Sequence, residues 1–425
     1  MTSRRGLAII CAVYAALAVA YSLATDLKGG PDETAHFIYI RSLATRHALP
    51  EVATVAGNSV ESDASHEGHQ PPLYYAVMSV PYAVMDRFGA STDTIWRVLR
   101  ILGIIFGVAW ICSAYPLARS VLGTERRGLA AAGFVALIPT AAYMAGVLNN
   151  DIMISMWFGW AMVLMVRFLR EGDLDRRSAV ALGLLIGAAI LTKAQGLLLV
   201  PIFVLEAVAV WLMGQPRKPG QTARVAGTVL LAAVVVCGWW LTRSLLLYGT
   251  LQPQSLYHPA LANGFAEAWR NWPEFVRVAR IVCVGTYGYF WTPFWLIQPF
   301  VDGGLYTSLV LLLSALPVVG LLMRTLFIRD VDARVLGFLL ATAVIVFLSW
   351  FRYVMVIDCG ANLQGRLFLP VASVVGIVAV AGVQPWLGKR GLRLVAACVI
   401  YGGMVAANLL ILRCVLAYYA LGYGG

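Results

Sequence analysis

The sequence predicts an all-α polytopic membrane protein, one transmembrane domain over residues 1–425 with about eleven spans. Three observations carry that prediction. The mean hydropathy is +0.78 and only 12% of residues are charged, which leaves too little polar sequence for a soluble domain. Apolar stretches long enough to cross a hydrocarbon core of about 30 Å recur along the whole chain. Most of them lack strand-like alternation and are rich in Gly and Ala, as suits closely packed membrane helices.

The stretches are 6–24, 97–118, 128–148, 151–170, 178–193, 196–213, 225–247, 303–324, 334–351, 367–386 and 392–417. Basic residues orient them. Arg4 and Arg5, then "LARSVLGTERRG" (117–128), "RFLREGDLDRR" (167–177), "QPRKPGQTAR" (215–224), "MRTLFIRDVDAR" (323–334) and "GKRGLR" (388–393), all fall on one face, placing 18 of the 32 Lys and Arg there. The positive-inside rule makes that face cytoplasmic, so the N-terminus lies inside and the C-terminus outside. The segment "PPLYYAVMSVPYAVMDRFG" (71–89) is short, carries Pro81 and ends in Asp86-Arg87. A full span here would reverse every later basic loop, so an interfacial or re-entrant helix is expected, with Tyr74, Tyr75 and Tyr82 at headgroup level.

The net charge of +11 is accounted for by cytoplasmic anchoring, and no basic run interleaved with aromatics points to nucleic acid. The first span reads as an anchor rather than a signal peptide. The seven cysteines are scattered, and the spacing of Cys283 and Cys359 on the outer side does not demand a bond. All five His fall outside, and the first outer loop, 25–96, holds nine of the 21 acidic residues. A second long outer segment, 248–302, is aromatic-rich. With no P-loop or dinucleotide fingerprint, an activated substrate has to arrive from the membrane.

In "KGGPDETAHFIYI" (28–40), Pro31 starts a helix with Asp32 and Glu33 in its first turn, and Asp32 and His36 share a face. The plainer alternative is N-terminal capping by the two acids. Downstream, "SHEGHQPPLYY" (65–75) places His66, Glu67 and His69 ahead of a Pro-Pro that opens another helix. The spacing is not that of a zinc protease. A divalent ion, Mg or Mn, on some of Asp32, Glu33, His36 and His69 is compatible with these residue types, as are solvated loop histidines.

Four further places point to the same outer face: Asn149, Asn150 and Asp151 in "LNNDIM"; Lys193 and Gln195 in "LTKAQG"; Arg243 in "WWLTRSLLLYG"; and Gln364 and Arg366 in "CGANLQGRLFLP". Cations near helix ends often only snorkel to water. Three of them beside outer acids suggest the lining of a cavity.

These residues resemble the GT-C superfamily of membrane glycosyltransferases, which use polyprenyl-phosphate sugars. "PDETAHF" followed by "HQPPLYY" resembles the "DE…HF…HPPL" pattern of the protein O-mannosyltransferases. Taken with "LTKAQG", "RSLLLYG" and "LQGRLFLP", it is similar to an uncharacterised bacterial membrane family related to them. The resemblance covers residues 30 to about 375. It implies transfer of a hexose or pentose from a lipid-linked donor to a hydroxyl of a glycan, lipid or protein, with inversion. Asp32 would be the base, and Glu33 and His36 would position the acceptor, tune Asp32 or hold a metal. Arg366, helped by Lys193, Arg243 and Gln364, would take the lipid phosphate, while His66, His69, Asn150 and Asp151 would line the acceptor cavity. The implied location is a bacterial cytoplasmic membrane, with the site facing the periplasm or exterior. Two rivals stay open: a secondary transporter with an outward-facing charged site, and a ligase or polymerase of lipid-linked glycans.

Overall fold

The computed structural model describes residues 3–52, 67–213, 219–251, 271–323, 332–356, 363–383 and 390–423. Among the described residues the regular structure is helical throughout. In chain order the helices are α1 (Ser3–Ala24), α2 (Glu33–Arg46), α3 (Leu73–Arg87), α4 (Thr92–Leu122), α5 (Glu125–Ala136), α6 (Pro139–Ala145), α7 (Asp151–Glu171) and α8 (Arg176–Thr192). They continue as α9 (Leu199–Leu212), α10 (Pro219–Tyr248), α11 (Trp272–Trp291), α12 (Phe294–Ile297), α13 (Gly303–Met323), α14 (Ala333–Val356), α15 (Ala372–Val383) and α16 (Arg390–Ala420). Short 3-10 turns, Ala194–Leu198 and Gly365–Val371, lead into α9 and α15.

Each of the eleven apolar stretches is occupied by helix. Among the described residues nine helices are long and apolar enough to cross a membrane, and a bent pair, α5 with α6, makes a tenth. The remaining stretch is α8, whose 17 residues reach about 25 Å. The two ends of the bundle differ. Arg170 bonds Asp332 at 3.0 Å and Arg224 bonds Asp173 at 3.2 Å, which gathers the basic connections of α7, α8, α10 and α14 at one end. Tight turns close the helices there: Thr124 caps α5, Asp175 caps α8, and Gly172 ends α7 with φ 66°. On the long α8–α10 contact, Gly183 and Gly187 face Val229, Ala232, Ala233 and Val236 so closely that a Cβ would collide. Small residues let these backbones meet where lipid supplies no hydrophobic drive.

The stretch 128–148, read from the sequence as one span, is instead broken, with a 65° bend between α5 and α6. Pro139 opens α6, and its ring and missing N–H stop α5 from continuing. Asn408 of α16, fully buried, donates to the freed carbonyl of Leu137 at 2.9 Å and accepts from the Tyr21 hydroxyl at 3.1 Å. Backbone released inside a membrane needs such a partner.

Helix α3 has 15 residues, about 22 Å, and is absent from the candidate spans. Its tyrosines are packed between helices. Tyr74, Tyr75 and Tyr82 are buried against α2 and α4, where Tyr39 stacks on Tyr75 at 3.8 Å and Phe37 on Trp96 at 4.0 Å. Stacked rings bury more area packed between helices than they would at an interface.

Candidate active site

The end of the bundle opposite the basic loops collects the α2 N-terminus, the turn before α3, the α7 N-terminus, the α8 C-terminus and the 3-10 turn before α15. Asp32 is the N-cap residue of α2, with φ 55° and ψ 14°. That left-handed conformation costs about 1–3 kcal/mol for a non-glycine residue and survives only where its surroundings enforce it. Its side chain does not cap the helix. It accepts instead from Arg366 Nη2 at 2.5 Å, so capping does not explain Asp32. The helix begins at Glu33 rather than Pro31, yet His36 still donates its backbone N–H to the Asp32 carbonyl at 3.0 Å, one turn on.

Arg366 stands at the centre. Nη2 reaches Asp32 and Nε lies 3.5 Å from Asp151, which in turn pairs with Lys193. Nη1 is buried and makes no hydrogen bond among the described residues. The preceding Gly365 presses on the backbone of Tyr289 and Phe290, leaving no room for a side chain. The aromatic end of α11 thereby seats the arginine.

A second layer adds His36, Glu67 and Asn150. His36 Nδ1 shares a 2.8 Å hydrogen bond with the Tyr75 hydroxyl. Asn150 donates to Gln70 Oε1 and the Thr192 carbonyl, both at 3.2 Å. His69 Nε2 lies 3.9 Å from Glu67 Oε2. Burial would raise the Asp32 carboxyl, but Arg366 beside it overrides burial and holds it well below the usual carboxylate range. Burial pulls the His36 imidazole down to about 3 and pushes the Glu67 carboxyl up to about 8. As it stands, two carboxylates face two cations, with a neutral imidazole and a neutral acid alongside.

The metal-ligating geometry differs from the expected set. Ligand atoms of Asp32, His36 and Glu67 lie within 4.8 Å of one another. Two carboxylates and an imidazole fit a divalent cation, and an imidazole favours Mn or Zn over Mg. The Tyr75 hydroxyl on Nδ1 would orient the ring from the outer shell.

Glu33 takes no part. Arg100 of α4 holds it through a two-pronged pair, Nε to Oε1 and Nη2 to Oε2, both 2.7 Å. The N–H groups of Gly30 and Leu148 complete the carboxylate at 3.0 and 2.9 Å. Arg100 also donates to the carbonyls of Ser22, Thr25 and Asp26. Both side chains are fully buried and Glu33 lies outside the cluster of candidate ligands; it and Arg100 tie α1, α2, α4 and the α6–α7 turn together.

Asp151 pairs with both Lys193 and Arg366. Arg243 donates to the Pro50 carbonyl at 3.5 Å and lies over Trp240 at 5.2 Å. Gln364 stands half-buried beside Gly365-Arg366. His66 and Cys359 lie outside the described residues. Arg100, which sequence reasoning missed, had a legible signal as a charge inside the apolar stretch 97–118. Glu67 was quoted in its motif but left out of the ligand set.

Residues 69–240 match the family model described as dolichyl-phosphate-mannose-protein mannosyltransferase, less than half of the chain. The structure is similar to the oligosaccharyltransferase of Archaeoglobus fulgidus in complex with Zn and sulfate, with TM-score 0.53 and 16% identity, covering 96% of this chain and 53% of that one. It is also similar to ArnT from Cupriavidus metallidurans bound to undecaprenyl phosphate, with TM-score 0.52 and 16% identity, covering 96% and 74%. The resemblance to the GT-C superfamily holds. At these identities the structural likeness establishes the fold, and the chain spans about half the length of the archaeal oligosaccharyltransferase it matches. A further structure of that enzyme, AglB, in complex with an inhibitory peptide and a dolichol-phosphate, gives TM-score 0.52 at 16% identity, covering 96% and 56%. Comparison with curated protein sequences yields no match.

Proposed function

We propose that this protein is a glycosyltransferase that moves a hexose or pentose from a polyprenyl-phosphate donor to an acceptor hydroxyl, inverting the anomeric carbon. The single observation that carries the reading is the seating of Asp32. It is a carboxylate 34% exposed, held in a strained backbone, beside an arginine that is almost wholly buried. ArnT was solved with undecaprenyl phosphate and the archaeal enzyme with dolichol-phosphate, which supports a lipid phosphate as the ligand.

In the proposed step the acceptor oxygen attacks the anomeric carbon while its proton passes to Asp32. The bond from that carbon to the phosphate oxygen breaks, and polyprenyl phosphate leaves with the electron pair. Asp32, kept ionised by Arg366, is a weak base and takes the proton late, once the attacking oxygen has turned acidic. Arg366 and Lys193 meet the charge gathering on the phosphate, and the free Nη1 of Arg366 offers a donor already oriented by two acids. A divalent ion on Asp32, His36 and Glu67 would bring two positive charges, balanced by ionised Glu67 and the single charge of a donor phosphodiester. The acceptor reaches Asp32 from the end of the bundle opposite the basic loops, which the positive-inside rule makes the exterior.

The test is transfer or donor hydrolysis by purified protein with a panel of polyprenyl-phosphate sugars, wild type against Asp32→Asn. Release of polyprenyl phosphate by wild type alone, with an inverted product by NMR, supports the reading. Saturable solute uptake into liposomes with no turnover of any donor would overturn it.

A further inference from the structure

The turn that carries Asp32 is held from a helix that the transfer chemistry does not otherwise use. Between α1 and α2 the chain passes Lys28 at φ 72° and Asp32 at φ 55°, two left-handed non-glycine residues four positions apart. Such a turn relaxes unless each of its polar groups is engaged. Arg100 takes the carbonyls of Thr25 and Asp26, the Glu33 carboxylate takes the Gly30 N–H, and Gly29 donates back to Asp26 at 3.0 Å. Between the two strained residues, the Gly30 carbonyl accepts from the Glu33 N–H at 3.2 Å, which leaves the Gly29 carbonyl to partners from outside the turn. The Gly29 carbonyl accepts from the Tyr419 hydroxyl of α16 at 3.0 Å and, more weakly, from the Tyr143 hydroxyl of α6 at 3.4 Å. The fit is close, since a Cβ on Gly29 would collide with the Tyr419 hydroxyl.

Tyr419 lies at the far end of α16, a helix whose other described polar ties to the bundle include Tyr401, which donates to the Ala130 carbonyl of α5 at 2.8 Å, and Asn408 at the α5–α6 break. Most of α16 is exposed along its length, while its C-terminal turns pack on the bundle through Ile411, Val415 and Tyr419, which brings the Tyr419 hydroxyl to this loop. We infer that Tyr419 is a positioning residue for Asp32: its hydroxyl pins the Gly29 carbonyl, and so fixes the backbone that aims the carboxylate at the acceptor. The inference rests on the transferase reading for its catalytic consequence, and on geometry alone for the brace.

Two variants test it, each measured two ways on the full-length protein in nanodiscs. Tyr419→Phe keeps the ring against Tyr418 and removes only the hydroxyl. Gly29→Ala keeps the hydroxyl and pushes it away, at a glycine whose φ is not positive. In hydrogen–deuterium exchange without donor, both variants should exchange about tenfold faster over residues 26–36, with α7 and α10 unchanged. In turnover, kcat should fall about tenfold with KM for the donor unchanged, because a small misplacement of a catalytic group lowers rate rather than binding. Unchanged exchange in Tyr419→Phe overturns the brace. Faster exchange with unchanged kcat overturns its bearing on Asp32. If wild type turns over no donor, the transferase reading falls, and exchange alone then decides whether Tyr419 holds the loop.

Discussion

Asp32 and Glu33 are neighbours with the same charge, and they meet opposite fates. Glu33 is sealed, fully buried on Arg100 with both oxygens and the fork satisfied. Asp32 faces an open cluster in which Arg366 is shared between Asp32 and Asp151, Lys193 pairs with Asp151, and one guanidinium nitrogen has no hydrogen bond among the described residues. The difference lies in saturation. A buried pair whose lone pairs and protons are all taken holds structure, because nothing else can approach it. A cluster with spare capacity and partial exposure can exchange partners, as a reaction requires.

The largest effect should come from breaking the sealed pair. Arg100→Met leaves a buried carboxylate without its cation and should lower stability by about 3–5 kcal/mol, seen as loss of folded protein in a thermal scan. The double variant Arg100→Met, Glu33→Leu should recover much of it; if it recovers none, the pair is not the cause. Asp32→Asn should leave the thermal midpoint in place and lower transfer about 10³-fold, measured as release of polyprenyl phosphate. A stability loss there would erase the contrast between the two acids. Arg366→Lys keeps the charge but loses the fork that spans Asp32 and Asp151, so transfer should fall by roughly 10- to 100-fold. Smallest of these, Tyr75→Phe removes the outer-shell partner of His36 and should weaken Mn binding about tenfold by calorimetry, with folding intact.

How much of this was legible beforehand depends on the kind of signal. Hydropathy marked all eleven helical stretches, since a bilayer admits only long apolar helices or closed barrels. It did not mark the break at Pro139, because the composition stays apolar on both sides of the bend. At the site, the structure brings together Asp32, His36, Asp151, Lys193 and Arg366, residues from four separate segments that sidedness alone had grouped. Sidedness could not separate Glu33 from Asp32, one residue apart. That choice was made by Arg100, 67 positions away, which takes the nearer acid and leaves the other to Arg366. Nor could it give Arg243 its contact with the Pro50 carbonyl, 193 positions away in the chain.

The sequence by itself determined the solvent this chain folds in, its helices, and the end of the bundle where acids and cations collect. Those follow from local composition and loop charge, which act without knowledge of partners. Only the tertiary structure decided which charge is sealed and which stays open. Pairing between helices depends on distances across the bundle, and hydrogen bonds and ion pairs act only within a few ångströms.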